Sequence, residues 1–190
     1  MARPRSEKAR QAVLGAMRTM LARDGYDAIT VEGIAASAGV SKQTIYRWWP
    51  SKAEILGEAL LEGELPGFTD ALATTDDLSA DLRNWLSMST DHLAMTANTQ
   101  LARALIAVTA TNPTVGESLN RRFAGPIVAA VARRIEAAKA VGEVRSDTDA
   151  TALADVLLAI TSYSALQGRP LTTAHIDAIV GSLLHGITTD

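Results

Sequence analysis

The chain has 190 residues, 47% of them apolar and 21% charged, which is enough for one small and one medium domain around a sizeable core. It holds no cysteine, which excludes disulfides, thiolate metal sites and a cysteine nucleophile. The net charge of −3 hides an asymmetry: residues 1–56 carry nine Lys/Arg against five Asp/Glu, net +4, while residues 57–190 carry nine against sixteen, net −7, the pattern of a basic module on an acidic body.

Every segment reads as helix, because no stretch alternates apolar and polar residues between turn signals. An all-α fold of about nine helices follows. The first helix is predicted from Ser6 to about Asp24, with Gly25 as its stop. Its apolar positions Val13, Ala16, Met17, Met20 and Leu21 recur at helical spacing. Residues 31–50, VEGIAASAGVSKQTIYRWWP, follow as helix, glycine turn, helix. Ile34, Ala38, Val40, Ile45 and Trp48 supply apolar positions, Ala35 is small where two helices cross, and Gly39 suits a turn needing positive φ. This is a helix-turn-helix, whose second helix lies in the DNA major groove. Thr30 and Ser41 precede the two helices as N-caps, each with a second reading as a DNA-backbone contact.

Ser51 opens a fourth helix reaching about Leu65, and residues 66 to 76 read as a loop. A fifth helix is predicted from Asp77 to Met95, a sixth from Asn98 to Thr111 and a seventh from Thr114 to Val141. Pro126 should kink or break the seventh. An eighth helix covers Thr148 to Gln167 and a ninth Thr172 to Gly186. No run of 18 uncharged apolar residues exists, so no membrane span is expected. The opening MARPRSEKAR leads into an amphipathic segment rather than an apolar signal core, and a cytoplasmic location is expected.

The string TVEGIAASAGVSKQTIYRWWPSKAEIL resembles the DNA-binding domain of the tetracycline-repressor (TetR) family of bacterial regulators. Tyr46, the aromatic anchor Trp49 and Pro50-Ser51-Lys52 carry the likeness, which spans about 50 residues and ends near Leu60. Two adjacent tryptophans depart from the commonest pattern; Trp49 is expected as the buried anchor, with Trp48 partly covered. The resemblance implies a DNA-binding domain over 1–50 and a helical effector-binding and dimerisation domain over 51–190. It further implies a homodimer on a palindromic double-stranded DNA operator, a repressor in the family's commoner mode, released by a small-molecule effector. Tyr46 and Lys52 are backbone clamps by this resemblance.

The residues of the second motif helix that face away from the core are Lys42, Gln43, Thr44, Tyr46 and Arg47. Gln43 and Arg47 have the geometry for adenine and guanine edges. Lys42 suits a guanine or a phosphate, and Thr44 and Tyr46 suit phosphates. A cation in the first turn of the fourth helix opposes the dipole, which a phosphate beside Lys52 would explain. Arg3, Arg5, Lys8 and Arg10 form a basic arm, read either as minor-groove contacts or as a merely solvated terminus.

The eighth predicted helix is apolar nearly all round and the ninth carries an apolar stripe. A dimer interface is therefore expected at Leu153, Leu157, Ile160, Ile176, Ile179, Val180, Leu183 and Leu184, as a four-helix bundle with a second copy. Trp85, Met88, His92, Met95, Leu105 and Phe123 are candidates for a largely apolar effector pocket, with ordinary core packing as the alternative. No cofactor and no metal site are expected. His175 and His185 would fall roughly 80° apart and about 15 Å along one helix, which is no metal pair. With no GxSxG, P-loop or HExxH pattern, an all-helical enzyme is the least favoured alternative. A helical protein-interaction adaptor with a non-functional helix-turn-helix is the other.

Overall fold

Helix caps and glycines set the segmentation of the chain. A computed structural model describes residues 4–62 and 72–185; Arg3, the expected helix end near Leu65, residues 66–71 of the expected loop, and Gly186 lie outside them. Among the described residues the order is α1 (Pro4–Asp24), α2 (Val31–Ala38), α3 (Lys42–Tyr46), α4 (Lys52–Glu62), α5 (Leu78–Ala94), α6 (Thr96–Thr111), α7 (Pro113–Leu119), a π-helical turn (Asn120–Ala124), α8 (Gly125–Ala140), α9 (Ala150–Gln167) and α10 (Thr173–His185). The fold is all-α. Gly25, Gly39 and Gly168 end α1, α2 and α9 with φ of +76°, +66° and +63°, a region open to glycine without a Cβ penalty.

The predicted seventh helix is divided. A proline ring clashes with the carbonyl four residues back, which for Pro126 is that of Arg122. Arg122 lies inside the π-helical turn, where the backbone widens. Pro126 thus sits in the first turn of α8, a position that tolerates its missing N–H.

The chain forms two compact units. The first contains α1–α4 with Gln100–Arg122; the second contains α5, the residues up to Thr99, and the chain from Phe123 onward. In the first, α1 packs on α2 and α4, and α4 packs on α7. Its core holds Leu14, Met17, Ile29, Ile34, Ile45, Ile55 and Leu56, all essentially inaccessible. The α4–α7 approach is close because Gly57 has no side chain: a Cβ there would collide with Val115 Cγ1. Gly116 plays the same part against α6, where a Cβ would lie 2.8 Å from Thr109 Cα.

In the second unit α8 packs on α9, α10 packs on α5, and α5 also meets α8 and α9. Leu78, Leu82, Trp85 and Leu86 of α5 interlock with Val131 and Ile135 of α8, Leu157 of α9, and Ile176, Val180 and Leu184 of α10. This core also encloses an ion pair. The Arg134 guanidinium donates to Asp81 at 2.5 Å, and both side chains are 3% exposed. Thr75 completes the site: its backbone N–H and hydroxyl donate to the Asp81 carboxylate at 3.0 and 2.9 Å, while its carbonyl accepts from Arg134 at 3.1 Å. Burial by itself would raise the Asp81 pKa. The hydrogen bonds from Thr75 and Arg134 outweigh that and hold it below the usual aspartate range.

α9 is the one described helix long and apolar enough to cross a membrane by length and composition. Its inner side packs on α8 and α5 as a core helix does.

Candidate nucleic-acid interface

The two motif helices are capped as their sequence requires. Thr30 Oγ1 accepts from the Gly33 N–H at 3.0 Å, and Ser41 Oγ accepts from the Thr44 N–H at 3.1 Å. Between them the Val40 N–H closes on the Ala35 carbonyl at 3.0 Å, around Gly39. Ile34 and Ile45 are fully buried and Trp49 is 2% exposed, so α3 is pinned through one side only. Trp49 is the anchor, its indole N–H donating to Glu58. Trp48 is half-buried and meets Trp49 edge to face, with centroids 5.4 Å apart.

The opposite side of α3 is polar and open. Lys42, Gln43, Tyr46 and Arg47 are exposed, as are the two caps, and Thr44 is half-buried. The Arg47 guanidinium lies 5.4 Å from the Trp48 ring centroid, a cation–π contact that restricts where the fork points. The Lys42 ammonium forms an ion pair with Glu32 in the first turn of α2. That partner lowers the Glu32 carboxyl pKa and raises that of the Lys42 ammonium.

Two cations take roles that the sequence reading did not assign. The Lys52 ammonium donates to the carbonyls of Tyr26 at 3.0 Å and Ile29 at 2.9 Å, and sits 4.2 Å from the Tyr26 ring centroid. Its place in the first turn of α4 is accounted for by these carbonyls of the α1–α2 connection, with no phosphate required. Arg10 is likewise committed, to Glu7 and to Glu58 and Glu62 of α4. Since α1 begins at Pro4, positions 5, 8 and 10 belong to a helix rather than to an extended arm.

The residues proposed for a pocket are scattered. Leu105 belongs to the first unit, while Trp85, Met88, His92, Met95 and Phe123 belong to the second. Trp85 is core, 3% exposed, whereas Met88 and Met95 are exposed and His92 and Phe123 half-buried. Burial lowers the pKa of His92. The sequence reading missed Thr90, whose hydroxyl is buried without a hydrogen-bond partner among the described residues.

The residues proposed for a dimer interface divide by burial. Leu157, Ile176, Val180 and Leu184 lie in the core of their own unit; Leu153, Ile160, Ile179 and Leu183 are half-buried. The outer face of α9 carries a different set: Ala152, Val156, Ala159, Tyr163 and Leu166, all exposed. They repeat at alternating steps of four and three, the spacing of a helix–helix seam. A helix apolar on every side gives no sequence signal for which side turns inward.

A capped helix-turn-helix with a buried aromatic anchor and an open polar second helix defines a DNA-binding transcriptional regulator. The family model for bacterial regulatory proteins of the tetR family matches residues 13–59, and that for the tetracyclin repressor-like C-terminal domain matches residues 72–183. The chain is 31% identical over 183 residues to the DNA-binding transcriptional repressor TetR of Mycobacteroides abscessus, covering 95% of this chain and 94% of that one. It is 28% identical to the TetR family transcription regulator SCO0332, with a TM-score of 0.60 over 96% of this chain and 100% of that one. A TetR family regulator from Pseudomonas syringae pv. tomato shares the fold, with a TM-score of 0.65 at 19% identity over 95% and 97% of the two chains. The chain belongs to the TetR family of transcriptional regulators, and it is not an enzyme.

Proposed function

We propose that the protein is a repressor that grips a palindromic operator as a homodimer and lets go when a largely apolar small molecule occupies its second unit. The observation that carries the DNA half of this reading is the open row Lys42, Gln43, Tyr46 and Arg47 on a helix whose other side is fixed by Ile45. The repressor role is supported by the Mycobacteroides abscessus relative, a DNA-binding transcriptional repressor. Self-association is supported by the exposed seam on α9. Effector binding has two supports, both in the second unit: the exposed thioethers of Met88 and Met95, and the unsatisfied Thr90 hydroxyl, a buried polar atom that a ligand group would satisfy. The domain boundary at residue 50 remains part of this proposal, with α4 as the element linking the reader to the rest.

Footprinting on the DNA flanking the protein's own coding region tests the proposal. Two protected half-sites with centres about 34–36 Å apart are expected, one for each recognition helix of a dimer. Absence of any protected palindrome, or a monomer in sedimentation at the concentrations that protect DNA, overturns it. Release of the labelled fragment by members of an apolar compound library tests the effector half.

A further inference from the structure

The open face of the helix-turn-helix is not uniformly cationic. Glu32, in the first turn of α2, places a carboxylate against the Lys42 ammonium in the first turn of α3. The sequence reading gave Lys42 to DNA and gave Glu32 nothing. The Glu32 side chain is 60% exposed and that of Lys42 52%, so neither is needed to hold the core and each is accessible to DNA. An exposed ion pair of this kind has little effect on stability. Its effect on DNA binding is larger, because sequence-independent affinity is set by how many phosphates the protein neutralises. A lysine already neutralised by a neighbouring carboxylate releases no counterion when DNA arrives. If the ammonium swings to a phosphate instead, the carboxylate is stranded beside the same polyanion.

We infer that Glu32 is a specificity-determining residue: through its ion pair with Lys42 it removes one phosphate contact per subunit from sequence-independent binding and so keeps the regulator from adhering to DNA at large. The operator offers compensation that random DNA does not, since a base edge or a fixed phosphate at the right place can take the Lys42 ammonium from its partner. Glu32 is therefore a positioning residue for Lys42 in the ground state and a barrier to its non-specific use.

A mixed-sequence DNA duplex is the probe, so no operator need be known, and wild-type binding to it serves as the control for DNA binding itself. The measured quantity is the slope of log affinity against log salt concentration. Glu32→Gln is expected to steepen that slope by about 0.9 per subunit bound, one phosphate's worth. The double variant Glu32→Gln/Lys42→Gln should return to the wild-type slope. Thermal unfolding of Glu32→Gln and of Glu32→Ala, expected to match the wild type, establishes that the fold is unaltered. A wild-type slope in Glu32→Gln, or a slope that stays steep in the double variant, overturns the inference.

Discussion

At the scale of single residues, the helix-turn-helix leaves Arg47 exposed beside an aromatic ring and commits Lys52 to backbone carbonyls. Arg47 projects from the end of α3 against the Trp48 ring, and truncating it to alanine should cost about 1–3 kcal/mol of operator binding and relax preference at one base pair. A binding-site selection on the variant checks this; equal weakening on every sequence would show that Arg47 contacts only backbone. Lys52 behaves differently. Its two hydrogen bonds to the carbonyls of Tyr26 and Ile29 are charge-assisted, so Lys52→Met should lower stability by about 1–3 kcal/mol, read in thermal or urea unfolding. The sequence singles out Lys52, since a cation in a helix's first turn demands a compensating oxygen. It does not say whose oxygen, because the carbonyls of residues 26 and 29 reach that point only through the path of the α1–α2 loop. Trp49, Ile45 and Gly39 were legible for the opposite reason: their roles depend on neighbours within a few positions.

At the scale of elements, helix existence and ends followed from caps, glycines and prolines that act locally. Asn112 caps α7 and Asp149 caps α9, each accepting from the backbone of the first turn. What the sequence does not display is contact between helices distant along the chain. Gly57 and Gly116 look like weak points in helices until α7 and α6 are set beside them, when each proves to be a place where a side chain will not fit. Gly116→Ala would press a methyl group on the Thr109 backbone, which has little room to yield. A loss of about 1–3 kcal/mol is expected despite alanine's better helix propensity, measured by chemical denaturation. Helical apolar periodicity likewise assigned α9 to an interface while leaving its inward side open, and packing on α8 and α5 settled which side the core uses.

At the scale of the whole molecule, the proposed self-association rests on the exposed seam of Val156, Tyr163 and Leu166. The double change Val156→Glu/Leu166→Glu is expected to give a folded monomer in sedimentation, with the helical signal retained and operator affinity lost. Asp81, the buried member of an ion pair, contributes to acid tolerance. Its folded pKa lies below the ordinary aspartate value of 3.8, so its stabilising contribution is complete above that value and is lost as pH falls below it toward the folded pKa. Stability measured from neutral pH downward should therefore hold until about pH 4 and then decline, and Asp81→Asn should flatten the decline while lowering the plateau by about 3–5 kcal/mol. The Asp81–Arg134 lock also constrains how this protein drifts over generations. Losing either member strands its opposite charge in the interior, so a lineage changing one must change the other almost at once, or else keep both together.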